Sequence, residues 1–332
     1  MDQFHERALT GRTSEAVRFA VDLLDSGAPQ ERIITDVLAR SQREVGNQWQ
    51  RDDISVADEH VATGVTETAL YALSPSRPDE PNLGRVVVAC AEGDWHSIAS
   101  HMFSEQLRAA GVTVSFLGAS TPSGEVARFI ERYRPDALIV TCNLPIFFSG
   151  VVSLANVAHD VGVPLLVGGR AVANSPQRAS RLGSNAVAKD LNDVLATLAR
   201  WRESPDEVDL APVSLDTRVA AFESQSMDIA QAAHARLSTL FSPISRYTPR
   251  QRDRTLEDLR YIVLFMAASE YVDETSIFTE FLAWLDNVLQ SRGVPRAALV
   301  LGLEALIPEL HSADPEGGRL AQLGVEFLSN LG

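Results

Sequence analysis

The sequence predicts a mixed fold, in which an α/β domain with a doubly wound parallel sheet lies between two all-helical domains. Apolar residues recur at helical spacing in the first 75 residues and again from about residue 214. Between these zones, short apolar runs alternate with helical stretches, as a parallel sheet covered on both faces requires. Linkers rich in proline and acidic residues separate the three zones.

Composition limits the partners that the chain can bind. Its 332 residues carry 44 acidic against 29 basic side chains, and Lys189 is the only lysine. Nucleic acids and anionic membranes attract clustered Lys and Arg, so we expect neither as a partner. The N-terminal residues lack the apolar core of a signal peptide, and Cys90 and Cys142 lie inside apolar runs. We therefore expect a cytoplasmic protein with two buried free thiols.

Residues 1–75 are predicted to form a small helical bundle. Gly27 and Pro29 separate two helices whose apolar positions recur every three or four residues. Ser55 followed by Asp58 resembles a capping box, which predicts that the last long helix of the bundle begins there.

Residues 84–202 predict a sheet of five parallel strands with a helical stretch after each. The strands are expected at 85–91, 112–117, 136–141, 164–167 and 185–188. Five such units make a flavodoxin-like doubly wound domain. Residues 214–332 show only helical spacing and predict an all-helical domain.

The loop after the first predicted strand holds a candidate metal ligand, His96. Ligands of open parallel sheets bind beyond the carboxyl ends of the strands, where this loop lies. Asp94 is near enough in sequence to accept a proton from one imidazole nitrogen, which leaves the other nitrogen available to a metal. The alternative is that His96 is an ordinary loop histidine and has an acidic neighbour by chance.

The segment from Asp94 to Ala99 resembles the Asp-x-His-x-x-Gly signature of cobalamin-binding domains, with Ala99 in place of the final glycine. Residues 114–122, the segment Thr141–Pro145 and the pair Gly168–Gly169 resemble further elements of that family in order and spacing. The resemblance implies a bound cobalt corrinoid that has exchanged its own base for a histidine of the protein, here His96. The residues implied to contact cobalamin are Asp94, Trp95, His96, Ser97, Thr141, Asn143, Leu144, Gly168 and Gly169.

In the predicted bundle, Trp49 is followed after nine residues by Glu59 and His60. This spacing resembles the Trp-x9-Glu-His motif of light-sensing cobalamin domains of the carotenoid-gene repressor type. The resemblance implies that Trp49 and Glu59 enclose the adenosyl group of adenosylcobalamin on the upper face of the corrin. A spacing of four from Val56 predicts His60 on the buried side of its helix. The alternative is that Trp49 is an ordinary core tryptophan and that His60 is a core histidine whose hydrogen bonds are satisfied within the protein.

The residue after Trp49 departs from that family. The repressors carry a histidine there that binds cobalt once light has expelled the adenosyl group, whereas this chain has Gln50, a poor cobalt ligand. We therefore expect water, or another imidazole such as that of His60, as the ligand of the switched state.

The order of bundle, cobalamin domain and helical domain resembles the photocobilins, photoreceptors that pair cobalamin with biliverdin. The resemblance implies a globin-like fold for residues 214–332 and a bound biliverdin. No cysteine follows Cys142, so a bilin there would be held without a covalent bond. The side chains suited to propionates and pyrrole rings are His234, Arg246, Tyr247, Arg260 and Tyr261. Two alternatives stay open: these residues could be ordinary surface arginines and core tyrosines, or the whole zone could be a bundle for dimerisation or signal relay.

Together these features predict a light-sensing photoreceptor and not an enzyme, since no nucleophile–base set or phosphate-binding loop accompanies the motif. Loss of the adenosyl group would change the conformation or oligomeric state of a homo-oligomer and so signal to a downstream protein. Two alternatives stay open. The chain could be a corrinoid carrier for a methyltransferase, or a cobalamin-only sensor whose C-terminal domain binds a protein.

Overall fold

A computed structural model describes residues 2–73, 83–205, 208–214 and 216–331 of the chain. The chain divides into two units, one of Met1–Asn143 with Gly150–Val213 and the other of Leu144–Ser149 with Ser214–Gly332. The first unit therefore contains the elements of both predicted N-terminal domains. Most of the predicted linker at 74–84 lies outside the described residues.

The N-terminal helices of the first unit follow one another closely. They are α1 (Asp2–Leu9), α2 (Thr13–Asp25), α3 (Gln30–Ile33), a π-helical turn (Ile34–Leu38), α4 (Ala39–Gln50) and α5 (Val56–Ala72). Gly27, with a φ of 90°, follows α2, so the predicted break is confirmed. The predicted capping box is also confirmed, since the Ser55 hydroxyl accepts from the backbone of Asp58 and the Asp58 carboxylate accepts from the backbone of Ser55.

The π-helical turn is a feature that the sequence pattern did not predict. It interrupts the α-helical path between α3 and α4. Ile33, Ile34 and Leu38 are all buried in the bundle core there. In a regular α-helix, residues five positions apart diverge by more than a right angle around the axis, so Ile33 and Leu38 would not share a face. The wider π turn keeps both on the buried side.

The α/β part of the first unit has five parallel strands. The strands are β1 (Arg85–Cys90), β2 (Thr113–Gly118), β3 (Ala137–Thr141), β4 (Leu165–Gly168) and β5 (Ala186–Val187). The helices that follow them are α6 (Ile98–Ala109), α7 (Ser123–Tyr133), α8 (Phe148–Asp160), α9 (Pro176–Arg181) and α10 (Leu191–Glu203). The 3₁₀ turn Pro145–Phe147, which precedes α8, belongs to the second unit. The strand order β2-β1-β3-β4-β5 is that of flavodoxin-like sheets, so the predicted parallel sheet is confirmed.

The burial of the strands explains why they were recognisable in the sequence. Every residue of β3 and β4 is buried, because helices cover both faces of the sheet. The predicted free thiols Cys90 and Cys142 are both buried as well. Because β1 lies between β2 and β3, the chain turns to one side of β1 to form β2 and to the other side to form β3. The direction of winding therefore reverses at the carboxyl end of β1. The loop of residues 91–97 begins there, at the position where open α/β sheets bind ligands.

The helix after this loop, α6, belongs to both parts of the first unit. Its Met102 is buried in the core cluster of the helical bundle, together with residues of α1, α4 and α5. Its His101 ring lies 4.4 Å from the ring of Tyr71 and stacks on that of Phe116, 5.1 Å away (centroid distances). The bundle is therefore packed directly on the helix that begins at the end of the His96 loop.

The second unit is helical in all the elements described for it. These are α11 (Thr217–Ser224), α12 (Ser226–Leu240), a 3₁₀ turn (Ser242–Arg246), α13 (Pro249–Val272), α14 (Thr275–Ser291), α15 (Arg296–Ala313) and α16 (Pro315–Asn330). The elements of residues 216–331 are helices, as the spacing predicts, and a separate domain of globin-like topology stays a prediction. In the described ranges, none of the helices has the length and apolarity that crossing a bilayer requires.

Gly150 of α8 provides a test of the packing behind the His96 loop. A Cβ at this position would lie 2.8 Å from the backbone nitrogen of Glu92, which is closer than packed atoms allow. We expect Gly150→Ala to lower the free energy of unfolding by about 1–3 kcal/mol, measured by urea denaturation of the cofactor-free protein.

Gly46→Ala is the matched control, because a Cβ on this glycine of α4 meets nothing within 4 Å. Replacing a helical glycine there should raise stability by up to about 1 kcal/mol. Equal effects of the two substitutions would contradict the close approach of α8 to the loop.

Candidate functional site

The loop between β1 and α6 is organised around the buried carboxylate of Asp94. This side chain is 0% exposed. Its Oδ1 accepts from the backbone N–H of His96 at 2.9 Å, and its Oδ2 accepts from the backbone N–H of Asn143 at 2.8 Å. A buried carboxylate is tolerated only where hydrogen bonds replace the lost water. Asp94 therefore joins the β1 loop to the residues that follow β3.

The imidazole of His96 is oriented by the same carboxylate. Its Nδ1 lies 2.7 Å from Oδ1 of Asp94, and its side chain is 60% exposed. Because an ionised carboxylate can only accept, Nδ1 carries the proton and Nε2 keeps its lone pair. Among the residues that the structure describes, none forms a hydrogen bond with Nε2. Nε2 is therefore the ring nitrogen available to bind a metal, as the sequence predicts.

Electrostatics reinforce this pair. The hydrogen bond that His96 donates to Asp94 raises the pKa of His96, partial burial lowers it, and the negative charges of Asp94 and Glu59 raise it further. Glu59 belongs to α5 of the bundle, so the bundle lies within electrostatic range of the loop. An imidazole of raised basicity, held in one tautomer, is a good ligand for a transition metal.

A neighbouring loop fixes the backbone of the His96 loop. Gly93 adopts a φ of 90° and donates its N–H to the hydroxyl of Ser120 at 3.0 Å. Ser120 in turn donates its N–H to the carbonyl of Asp94 at 3.0 Å, from the loop after β2. Only a residue without a Cβ adopts this conformation at Gly93 without strain. The loop is therefore held in place from both β2 and β3.

The other predicted cobalamin contacts lie around this loop. Trp95 is exposed and Ser97 partly exposed, whereas Thr141 is buried at the end of β3. The Thr141 hydroxyl lies 2.5 Å from that of Ser100, a residue of α6 that the sequence analysis missed. Leu144 is the first residue of the second unit.

The glycine pair after β4 has a packing role within the protein. A Cβ on Gly168 would lie 2.9 Å from the carbonyl oxygen of Ala188. Gly169 has a φ of 99°, and a Cβ on it would lie 2.9 Å from the backbone nitrogen of Cys142. The missing side chains therefore allow the chain to pack against itself. The contact of this pair with cobalamin, which the resemblance implies, stays a prediction.

The structure corrects one prediction about the bundle. His60 was expected on the buried side of α5, but its side chain is 75% exposed. The buried face of this helix is formed by Ala62, Val65, Thr66, Ala69 and Leu70. Val56 is apolar but exposed, so its apolar side chain does not mark the buried face. His60 lies opposite the true face because it precedes Ala62 by two positions, roughly 200° around the helix.

Trp49 and Glu59 lie at the ends of neighbouring helices. Trp49 is half-buried in the last turn of α4, and Glu59 is in the first turn of α5 with its side chain 33% exposed. The Glu59 carboxylate accepts from the Thr63 hydroxyl at 3.0 Å and lies 3.4 Å from Nε2 of His60. Gln50, which follows Trp49, is half-buried too.

The five candidate bilin residues are spread over three parts of the second unit. His234 lies on α12, Arg246 ends the 3₁₀ turn and is followed by Tyr247, and Arg260 with Tyr261 lies on α13. Nε2 of His234 is buried and has no hydrogen-bond partner in the part of the chain that is described. Arg246, Arg260 and Tyr261 are exposed. No described hydrogen bond or ring contact joins the five, so the structure does not assemble them into one site.

Comparison with known families covers the first unit. Residues 84–198 match a family model described as "B12 binding domain", and residues 1–74 match a second model with the same description. The matches support a cobalamin-binding family. The matches to residues 1–74 and 84–198 therefore support a cobalt corrinoid as the cofactor.

Individual relatives match the same region. The chain is 28% identical over 170 residues to the HTH-type transcriptional repressor CarH of Myxococcus xanthus. The matched region covers 48% of this chain and 56% of that protein. The chain therefore spans about half the length of this relative. It is 21% identical over 189 residues to trimethylamine corrinoid protein 1 of Methanosarcina acetivorans, covering 54% of this chain and 87% of the relative.

A solved structure agrees with this fold. The monomethylamine corrinoid protein of Methanosarcina barkeri superposes with a TM-score of 0.50 at 19% identity, covering 60% of this chain and 95% of that one. At this identity the likeness shows the fold alone. Support for the predicted cobalamin binding comes from the two family models.

Asp94→Asn tests the role of the buried carboxylate. Oδ1 of Asp94 accepts from the backbone and Nδ1 of His96, and Oδ2 accepts from the backbone and Nδ2 of Asn143. The NH₂ group of the new amide replaces one of these oxygens, so hydrogen bonds either from His96 or from Asn143 are lost in each orientation. We expect the pKa of His96 to fall and the cobalamin affinity to drop about 10- to 100-fold. The pKa is measured by ¹⁵N NMR titration of the cofactor-free protein, and the affinity by absorbance titration with hydroxocobalamin.

Glu92→Gln is the matched control in the same loop. Its carboxylate accepts from the backbone N–H of Ser123 at 3.0 Å, and an amide oxygen can accept this bond equally. Affinity and pKa should therefore stay at wild-type values in this variant. If Asp94→Asn behaved in the same way, Asp94 would have no part in orienting the imidazole.

Proposed function

We propose that this protein is a non-enzymatic light sensor that binds adenosylcobalamin through His96 and biliverdin in its second unit. The observation that carries the proposal is the contact of 2.7 Å between the buried Asp94 carboxylate and Nδ1 of the exposed His96. This pair supplies one oriented nitrogen donor, which is what an axial ligand of cobalt has to be.

The residues present fit a corrinoid. His96 offers its Nε2 lone pair. Asp94 accepts from the backbone and imidazole of His96 and from the backbone and side chain of Asn143, and Asn143 also donates to the His96 carbonyl, so the loop is fixed. When bound, adenosylcobalamin supplies a cobalt–carbon bond that visible light cleaves. Trp49 provides a flat aromatic surface for a nucleoside, and the Glu59 carboxylate provides an acceptor for ribose hydroxyl groups.

The proposed signal depends on contacts with the adenosyl group that exist only before illumination. Trp49 and Glu59 would contact the adenosyl group in the dark state and would have no such partner once that group is lost. A ligand shifts a conformational equilibrium by the difference between its affinities for the two states. We propose that the bundle changes its conformation in this way, and that a homo-oligomer assembles or dissociates and passes the signal to a downstream protein. Neither nucleic acids nor membranes are proposed as partners.

Support for biliverdin comes from residue types and domain order. The second unit offers the half-buried imidazole of His234 and the exposed guanidinium groups of Arg246 and Arg260, which suit pyrrole nitrogens and propionates. The chain has no cysteine after Cys142, so the proposed binding is non-covalent.

A corrinoid carrier for methyl transfer is the second candidate. The likeness to corrinoid proteins of methanogens favours it, since the chain covers 87% of one such relative and 95% of one such structure. The spacing of Trp49 from Glu59 and His60 favours the sensor, because a carrier has no adenosyl group to enclose.

Absorption spectroscopy separates these candidates. The full chain is purified in the dark from cells supplied with adenosylcobalamin and biliverdin, and its spectrum and elution volume are recorded before and after green light. We expect a cobalamin band that changes on illumination, a bilin band in the red region, and a changed elution volume. A sample kept in the dark is the control.

Other outcomes would contradict parts of the proposal. A photolysing cobalamin band without a bilin band would reduce the protein to a cobalamin-only sensor. A light-stable spectrum, with methyl groups transferred from bound methylcobalamin to a thiol acceptor by a partner methyltransferase, would establish the carrier and refute the sensor.

A further inference from the structure

The Glu59 carboxylate is held by a hydrogen-bond network that starts in the bundle core. The Thr63 hydroxyl lies 3.0 Å from Oε1 of Glu59 and 3.1 Å from Oε1 of Gln42. Gln42 donates its side-chain amide to the hydroxyl of Thr66 at 2.7 Å and to the carbonyl of Ala62 at 3.2 Å. The network therefore joins α4 to α5 through side chains of both helices.

The chemistry of each group fixes the orientation of this network. The Gln42 NH₂ group has two acceptors in the network, so its carbonyl oxygen must face Thr63. The Thr63 hydroxyl has one proton and two acceptors within reach. An ionised carboxylate is the stronger of these acceptors, because the bond to it is charge-assisted. Thr63 therefore donates to Glu59, and Gln42 holds α4 against α5 through the bonds it donates to Thr66 and Ala62.

Burial falls along the network from its inner end to its outer end. Thr66 and Ala62 at the inner end are fully buried, whereas Gln42, Thr63 and Glu59 are half-buried. A free Glu side chain loses considerable rotamer entropy when it is fixed. Restraining Glu59 beforehand lowers that loss at the moment when a ligand binds.

The position of Gln42 extends this restraint to the second residue of the motif. Gln42 precedes Trp49 by seven positions on the same helix, which is about two turns. Its bonds to α5 therefore also fix the helix that carries Trp49 against the helix that carries Glu59. No sequence motif singled out Gln42 or Thr63.

We propose that Thr63 and Gln42 are positioning residues that make the site selective for the adenosyl form of cobalamin, by holding the Glu59 carboxylate and aligning the helix of Trp49. The inference rests on the proposed function, in which Glu59 contacts the adenosyl group. Methylcobalamin carries no nucleoside on its upper face, so its binding does not depend on the orientation of Glu59. The ratio of the two affinities therefore reports positioning separately from general stability.

Thr63→Val tests the inference, because it removes the hydroxyl group and keeps a β-branched side chain. We expect the ratio of adenosylcobalamin to methylcobalamin affinity to fall about tenfold, equivalent to about 1.4 kcal/mol. Affinities are measured on the full chain in the dark by isothermal titration calorimetry. Thr63→Ser, which restores a hydroxyl, should return most of the ratio. Gln42→Leu should lower the ratio in the same direction.

Thr68→Val is the matched control on the same helix. Thr68 is exposed, and its hydroxyl donates to the carbonyl of Gly64 at 2.8 Å, outside the network. The chemical change is identical, so the ratio should stay at the wild-type value.

The outcomes separate this inference from the proposed function. If the wild type shows no preference for adenosylcobalamin, the proposed function fails and the inference falls with it. If the wild type prefers adenosylcobalamin and Thr63→Val keeps that ratio, the inference alone is overturned. An equal loss of both affinities in Thr63→Val would mean a purely structural role and would also overturn it.

Discussion

The arrangement of the site depends on one buried charge, the carboxylate of Asp94. An ionised group without contact to water is stable only where protein donors surround it. Here those donors are the backbone of His96, the backbone of Asn143 and the His96 imidazole. The need to satisfy one carboxylate therefore closes the loop after β1 onto the chain after β3. It also leaves a single imidazole nitrogen available to a ligand.

The bundle is attached to this loop through α6. Tyr71, in the last turn of α5, packs on His101 of α6, and Met102 of α6 lies in the bundle core. Glu59 lies in the first turn of the same α5, a helix of 17 residues and therefore about 25 Å long. One end of the helix is thus fixed on the sheet side, while the other end carries the group proposed to sense the adenosyl ligand. A small rotation about the fixed end would move the sensing end farthest.

Much of the fold could be predicted because local rules determine it. The apolar strands needed only a sheet buried on both faces, and the capping box at Ser55 needed only neighbouring residues. The Asp94–His96 contact was equally accessible, since the two residues are separated by one position in a loop that had to follow a strand. Such features depend on few distant contacts.

The remaining features depend on tertiary packing. The exposure of His60 was predicted wrongly because Val56 is apolar and still lies at the surface. The network of Gln42 and Thr63 joins residues about 20 positions apart. A local sequence pattern cannot predict which threonine will face a glutamine on another helix. The bilin residues were chosen by chemical type, which cannot specify how helices of the second unit bring them together.

Electron paramagnetic resonance of the protein loaded with cob(II)alamin tests the central claim most directly. An axial nitrogen splits each cobalt line, and ¹⁵N has a different nuclear spin from ¹⁴N. We predict a threefold splitting that becomes twofold when only histidine is labelled with ¹⁵N, and that is absent in His96→Ala. A splitting that ignores the histidine label, or that persists in His96→Ala, would contradict axial ligation by His96.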